Sequence, residues 1–185
     1  MTREFGIAVL VAAGLVLRAG AQEQPLKLGV AGPIALGDSV DQIYSRVGRD
    51  NTRLVDLFQE GLFSPAIEVR LPGAPVTTSF TVVIREWPCA GFSAWGIQVR
   101  DPRFKTADGL GVGSTVADLR GRYRATIAWG EGERVMAVKE LGLTFMLDAT
   151  SNAESSWRVK SVWVVPQPEL VRRTRCAHLG PLGGR

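Results

Sequence analysis

Histidine and cysteine are scarce in this 185-residue chain, which has one of the first and two of the second. Zinc centres built on His and Cys need three or four such ligands, so no metal site is expected. A Ser-His-Asp triad needs a fixed imidazole. The lone His178 lies in a Gly-, Pro- and Arg-rich tail that reads as disordered. A strong charge of one sign is missing too. Lys and Arg total 22 against 18 Asp and Glu, a formal charge of +4. The basic residues are spread among acids, and this excludes nucleic acid as the expected partner. The exception, Arg172-Arg173-Thr-Arg175, reads as a solvated basic tail.

Long apolar runs are absent beyond the N-terminus. There, Met1-Thr-Arg3 is a basic lead, Phe5 to Leu17 is apolar apart from Gly6 and Gly14, and Ala19-Gly20-Ala21 has the small-x-small form of a cleavage signal. A spanning helix needs about 20 apolar residues. This run is shorter and reads as a signal peptide over 1–21, cut before Gln22, rather than an anchor. No Cys follows it, so a lipoprotein is not expected. The mature chain is expected to be periplasmic or secreted, with no stable membrane insertion. In that compartment the even cysteine count points to a Cys89–Cys176 disulfide. It would close a loop of 176 − 89 = 87 residues. Such a bridge is worth about 4–5 kcal/mol in the chain-entropy model. Two separate thiols are the alternative.

The patterned part of the chain centres on Leu110-Gly-Val112-Gly113-Ser-Thr115-Val116-Ala-Asp118-Leu119. The same design stands at Ile34-Ala-Leu36-Gly37-Asp-Ser39-Val40-Asp-Gln42-Ile43, offset by 113 − 37 = 76 residues. Ser39 with Gln42, and Thr115 with Asp118, have capping-box spacing. Val40, Ile43, Tyr44 and Val47, then Val116, Leu119 and Tyr123, recur at helical spacing. After the first helix the period changes to two. Strands are predicted over Arg53–Phe58, Ala66–Leu71, Ser79–Glu86 and Ala94–Val99, then over Ala125–Trp129, Arg134–Lys139, Leu143–Asp148 and Trp157–Val165. The expected fold is α+β: two tandem copies of a short helix followed by a four-stranded antiparallel sheet. The copies would occupy 22–100 and 101–168, with a basic flexible tail over 169–185. Helices on one face of each sheet would leave the other face free.

The apolar-x-apolar-Gly-[Asp/Ser]-[Ser/Thr]-Val pattern, carried by Ile34, Leu36, Gly37, Ser39, Val40 and Ile43 and by Leu110, Val112, Gly113, Thr115, Val116 and Leu119, resembles the β-lactamase-inhibitor-protein-like fold. It is also similar in build to small outer-membrane-assembly lipoproteins, whose lipid-anchoring Cys is absent here. The resemblance implies exported, non-enzymatic proteins that grip other proteins with an open sheet face. It supplies no specific target-binding residue.

The remaining motifs point away from catalysis. Gly109-Leu-Gly111-Val-Gly113-Ser looks like a dinucleotide loop, but Ser114 replaces the third glycine and no parallel βαβ unit with a distant acid surrounds it. It reads as a structural turn, and no cofactor is expected. The carboxylate pairs Glu131/Glu133 and Asp38/Asp41 read as solvated turns rather than a hydrolase pair. The tryptophans are the better lead. Trp87, Trp95, Trp129, Trp157 and Trp163 all fall on or beside predicted strands. Trp and Arg dominate binding hot spots. Trp87, Trp95, Trp129 and Trp157, with Arg85, Arg100 and Arg158, are therefore the candidate binding residues. Burial in the core is the plainer reading for Trp95 and Trp163. Trp157, Val159, Ser161, Trp163 and Val165 are expected to share one strand face, with Lys160 near the opposite one. No constellation identifies the function outright. The leading expectation is a non-catalytic protein-binding module of the bacterial envelope, inhibitor-like in use. A structural or assembly factor and a carboxylate hydrolase are the alternatives, and a small-ligand carrier stays open if the fold encloses a pocket.

Overall fold

The computed structural model describes residues 23–59, 61–87, 91–130 and 132–167. The expected signal peptide, the basic tail, both cysteines and Glu131 lie outside the described residues. In chain order the strands are β1 (Gln24–Lys27), β2 (Val30–Ala31), β3 (Ile34–Ala35), β4 (Thr52–Gln59), β5 (Leu62–Val69), β6 (Phe80–Trp87), β7 (Gly91–Val99), β8 (Phe104–Lys105), β9 (Ile127–Gly130), β10 (Glu133–Val138), β11 (Leu143–Asp148) and β12 (Arg158–Val164). The α-helices are α1 (Val40–Val47) and α2 (Val116–Arg122).

The architecture corrects the expected one. The protein is mostly β, and two separate helix-plus-four-strand units do not form. One antiparallel sheet takes eight strands in the order β4-β5-β6-β7-β12-β11-β10-β9. The join is β7 on β12, where Val99, Gln98 and Ile97 pair with Val162, Trp163 and Val164. The physical reason is edge satisfaction: each four-strand run would end in a row of unpaired N–H and C=O groups, and pairing the two edges removes both. The remaining strands make a small mixed sheet, β3-β2-β1-β8, in which β1 and β8 run parallel. Its strands come from 24–35 and 104–105, stretches that lack alternation long enough to announce a strand.

Both helices begin as their spacing predicts. Ser39 accepts from the Gln42 N–H while the Gln42 side chain accepts from the Ser39 N–H, at 3.2 and 2.8 Å. Thr115 and Asp118 make the same reciprocal pair at 3.1 and 2.8 Å. These bonds, first from the Thr115 backbone and then from its hydroxyl, hold the Asp118 carboxyl below its ordinary range. The helices have only eight and seven residues. Isolated helices this short are marginal, so they persist by packing. Ile43 and Val47 from α1, and Val116 and Leu119 from α2, enter the core with Ile67, Phe80, Ile97, Phe145 and Val162 of the large sheet. Leu26, Ile34 and Phe104 of the small sheet join the same core, so helices and small sheet lie on one face.

The glycine-rich stretch before α2 is structural. Gly113 sits at φ 88°, in the left-handed region that favours glycine. A Cβ on Gly111 would run into the Phe104 carbonyl oxygen. Gly111 bridges to Lys105, and its N–H donates to the Ser114 hydroxyl. The turn is therefore shaped to pass β8 closely.

Candidate functional site

The second face of the large sheet has no described helix or strand over it. Its central strands present Val83, Val135, Met146 and Trp163, a buried apolar cluster separate from the main core, with Leu57 and Val165 packed at its margins. A cavity of about 280 Å³ opens here, walled by those four residues together with Gly96, Thr144 and Gly130, and rimmed by Arg85 and Trp95. Arg85 and Gly130 belong to β6 and β9, five places apart in the sheet. In a flat sheet five spacings span about 24 Å. One small cavity can touch both only because the sheet curls around it.

Two irregularities in strand pairing build this site. Between β6 and β7, Val83 faces Gly96 but Ile84 faces Ala94. Trp95 is therefore the extra residue of a β-bulge. That position lets its ring pack on the main core while also rimming the cavity. The Arg85 guanidinium stands over this ring at 5.9 Å. Between β11 and β12, Met146 faces Ser161 but Leu147 faces Val159. Lys160 is the extra residue there, and the alternation inverts across it. The expected single face from Trp157 to Val165 is thereby corrected: Val159 joins the main core, whereas Trp163 joins the opposite cluster. A bulge re-aims side chains by one position, and no local composition signals it.

Trp163 is only 9% exposed, and its ring lies against Gly96, where a Cβ would stand 3.5 Å from ring carbon Cζ3. Its indole Nε1–H is buried and meets no acceptor. An unsatisfied buried donor costs about 1–3 kcal/mol. Beside this cluster the same face is polar. Arg100 donates to the Thr81 hydroxyl at 3.1 Å and to the Gln98 side-chain oxygen, and Gln98 donates to Ser161 at 3.3 Å.

The other expected binding residues are dispersed. Trp129 is 66% exposed near the β9 edge, with Arg134 stacked on its ring at 4.0 Å. Trp157 packs partly against the main core and donates to the Ser151 carbonyl at 2.7 Å. Arg158 donates to the Gly113 carbonyl and so braces the turn before α2. Trp87 ends β6, and its side chain lies outside what is described. Among the expected residues whose side chains are described, Arg85 and Trp95 meet at the cavity. Val83, Gly96, Val135, Met146 and Trp163 were not singled out as binding residues. A usable signal was present in β12, where Val162-Trp163-Val164 is apolar on both sides of the strand and so implies burial on both faces.

Of the carboxylates considered for hydrolysis, one from each pair is engaged elsewhere. Asp38 accepts from the Ala35 N–H and pairs with Arg46 at 2.6 Å, and Glu133 pairs with Lys160 at 2.6 Å. Among the described residues no group of three His, Cys, Asp or Glu could hold a metal ion, and no helix is long and apolar enough to cross a membrane. A larger hollow of about 650 Å³ lies at the ends of β4 and β5, but it is broad and polar, and Arg53 in it is already held by Glu68. Leu54, Phe58, Leu62, Phe63 and Phe92 form exposed apolar ground on two neighbouring hairpins, without a polar group that indicates a ligand. The cavity on the uncovered face combines an apolar wall with a few polar groups, which is the usual make-up of a binding site.

Fold and site together define a β-rich protein with a curled eight-stranded sheet, helices on one face and an apolar cavity on the other. Among solved structures it is similar to the crystal structure of the uncharacterized protein yfeY from Escherichia coli, with a TM-score of 0.54 and 13% identity over 77% of this chain and 98% of that one. That likeness is one of fold alone. No protein-family model matches the chain, and no curated protein matches it.

Proposed function

We propose that this is an exported, non-catalytic binding module of the bacterial envelope that engages a protein partner through the uncovered face of its large sheet. The observation that supports the reading is the Val83, Val135, Met146 and Trp163 cluster, which lies apart from the main core and opens into a cavity. An apolar wall set apart from the main core, with a few polar groups at its rim, has the make-up of a binding site. Here the rim carries Arg85, and the polar Thr81, Gln98 and Arg100 cluster lies beside the cavity on the same face. Residues such as Met adapt to varied partners.

A photo-crosslinking side chain at Val135 tests the reading against one at Asp41, on the exposed side of α1. In envelope extract the Val135 position is expected to give a discrete product that unlabelled protein competes away. The Asp41 position is expected to give none. Equal labelling from both positions, or no competition at Val135, would refute binding through this face.

A further inference from the structure

We propose that the cavity receives one apolar side chain of a partner protein, and that Arg85 holds a carboxylate beside it. This rests on the protein-binding reading above and states the chemistry the partner must carry.

Size comes first. At roughly 30 Å³ per water, about 280 Å³ is the room of about nine waters. That is one aromatic or large aliphatic side chain. A dinucleotide or a long acyl chain does not fit. A free molecule this small, in a cavity open to solvent, would leave much of its surface wet. A protein segment gains the remaining contacts along the rim, which is how anchor residues work at interfaces.

Charge gives the second half. Arg46, Arg53, Arg103, Arg120, Arg122 and Lys160 each hold a carboxylate. Arg85 is one of several cations with no ion pair among the described residues, and it is the one on the cavity rim, over the Trp95 ring at 5.9 Å. A guanidinium stacked on an aromatic keeps its N–H edge available for a bidentate carboxylate. Trp163 lines the wall with its ring, while its Nε1–H is closed off from solvent and does not face the opening. The apolar wall and a rim cation without an ion pair among the described residues ask for one kind of guest: a compact apolar group with a carboxylate attached.

The test is a titration of the ¹⁵N-labelled protein, following indole N–H resonances assigned by single Trp→Phe variants. The probes are acetyl-Gly-Gly-Phe with a free C-terminal carboxylate, the same peptide as its C-terminal amide, and 3-phenylpropionate. The acid peptide is expected to shift the Trp163 and Trp95 resonances saturably. The amide should bind at least tenfold more weakly, and Arg85→Gln should reduce the acid peptide to the amide's level while leaving resonances remote from the cavity in place. Equal binding of acid and amide would overturn the carboxylate assignment, and no shift at Trp163 would overturn the site. If 3-phenylpropionate binds as tightly as the peptide, the guest is a small aromatic acid and the protein-anchor proposal fails. If truncation after Gln167 alone moves the Trp163 resonance, the tail fills the cavity and the proposal fails likewise. Competed crosslinking at Val135 with no peptide binding defeats this inference only. Peptide binding without competed crosslinking defeats the protein-binding reading instead.

Discussion

On one flank of the uncovered sheet face, polar side chains are buried and every one described has a partner. Thr81 and Ser161 are 1% and 4% exposed, yet Arg100 and Gln98 bond to both. On the adjoining flank the side chains are apolar, and the single buried donor, Trp163 Nε1–H, has no acceptor. Strand alternation puts both flanks on the same side of the same sheet. The difference lies in completeness. The polar flank satisfies its own hydrogen bonds, so a ligand arriving there would have to displace them. The apolar flank has no such bonds to lose and one donor to satisfy. Exposure alone would not separate the two, because both are largely buried; the accounting of buried polar groups does.

If that accounting governs stability, the largest loss should follow from stripping a partner from the most deeply buried carboxylate. Asp101 is fully buried and accepts from Arg103 at 2.6 Å, with further bonds from the Arg103 N–H and Nε. Burial pushes the Asp101 carboxyl up, but the bonds from Arg103 and Ser79 and the Arg103 charge outweigh it and leave the carboxyl below its ordinary value. Arg103→Ala leaves a buried, unpaired charge and should cost about 3–5 kcal/mol in urea unfolding. The sign with pH follows from the lowered value. The unfolded carboxyl takes up its proton first, near the ordinary 3.8. The contribution of Asp101 is therefore complete above that value and is lost as pH falls through the lower folded one. Arg103→Ala should flatten this part of the acid limb. A variant that unfolds with the parent's midpoint and acid limb would break the argument.

The polar flank should respond less. Arg100→Leu removes the donor to Thr81 and to Gln98. Thr81 is left buried with one acceptor unmet, and a cost of about 1–2 kcal/mol is expected. Gln98 keeps Ser161 and limits the damage. The peptide affinity of the cavity should stay within twofold of the parent, because Arg100 does not line it. An equal fall in stability and in affinity would show that the two flanks are one unit.

Much of the local structure is legible in the residues. The capping boxes at Ser39 and Thr115 and the helix faces carrying Ile43, Val47, Val116 and Leu119 follow from spacing, because a cap and a stripe are local physics. Leu143–Asp148 is read at its observed limits, and the other seven long strands within a few residues. What could not be read is non-local. Nothing in Ile97–Val99 or Val162–Val164 says that these edges meet, so one eight-stranded sheet was expected as two. Phe104–Lys105 becomes a strand because it finds Gln24 and Pro25 across some eighty residues of chain, while Leu26 and Lys27 pair with the neighbouring Val30–Ala31. The site suffered twice from the bulges at Trp95 and Lys160. One extra residue in each strand moves Trp95 to the rim and turns Trp163 away from Trp157. Arg85 and Trp95 were found because residue type alone marks them as hot-spot material, while Val83, Val135 and Met146 carry no such mark.

The smallest expected effect is also the sharpest test of the comparison. Trp163→Phe keeps an aromatic ring against Gly96 and deletes the indole nitrogen. Losing the second ring removes buried apolar contacts and leaves a small void, which on core substitutions of this kind costs about 1–2 kcal/mol. Deleting an unsatisfied buried N–H returns about 1–3 kcal/mol. The two offset, and unfolding stability should change by less than about 1 kcal/mol, although a buried tryptophan has been replaced. A loss well above 2 kcal/mol would mean that the indole N–H is bonded in solution and that the apolar flank is as self-contained as the polar one.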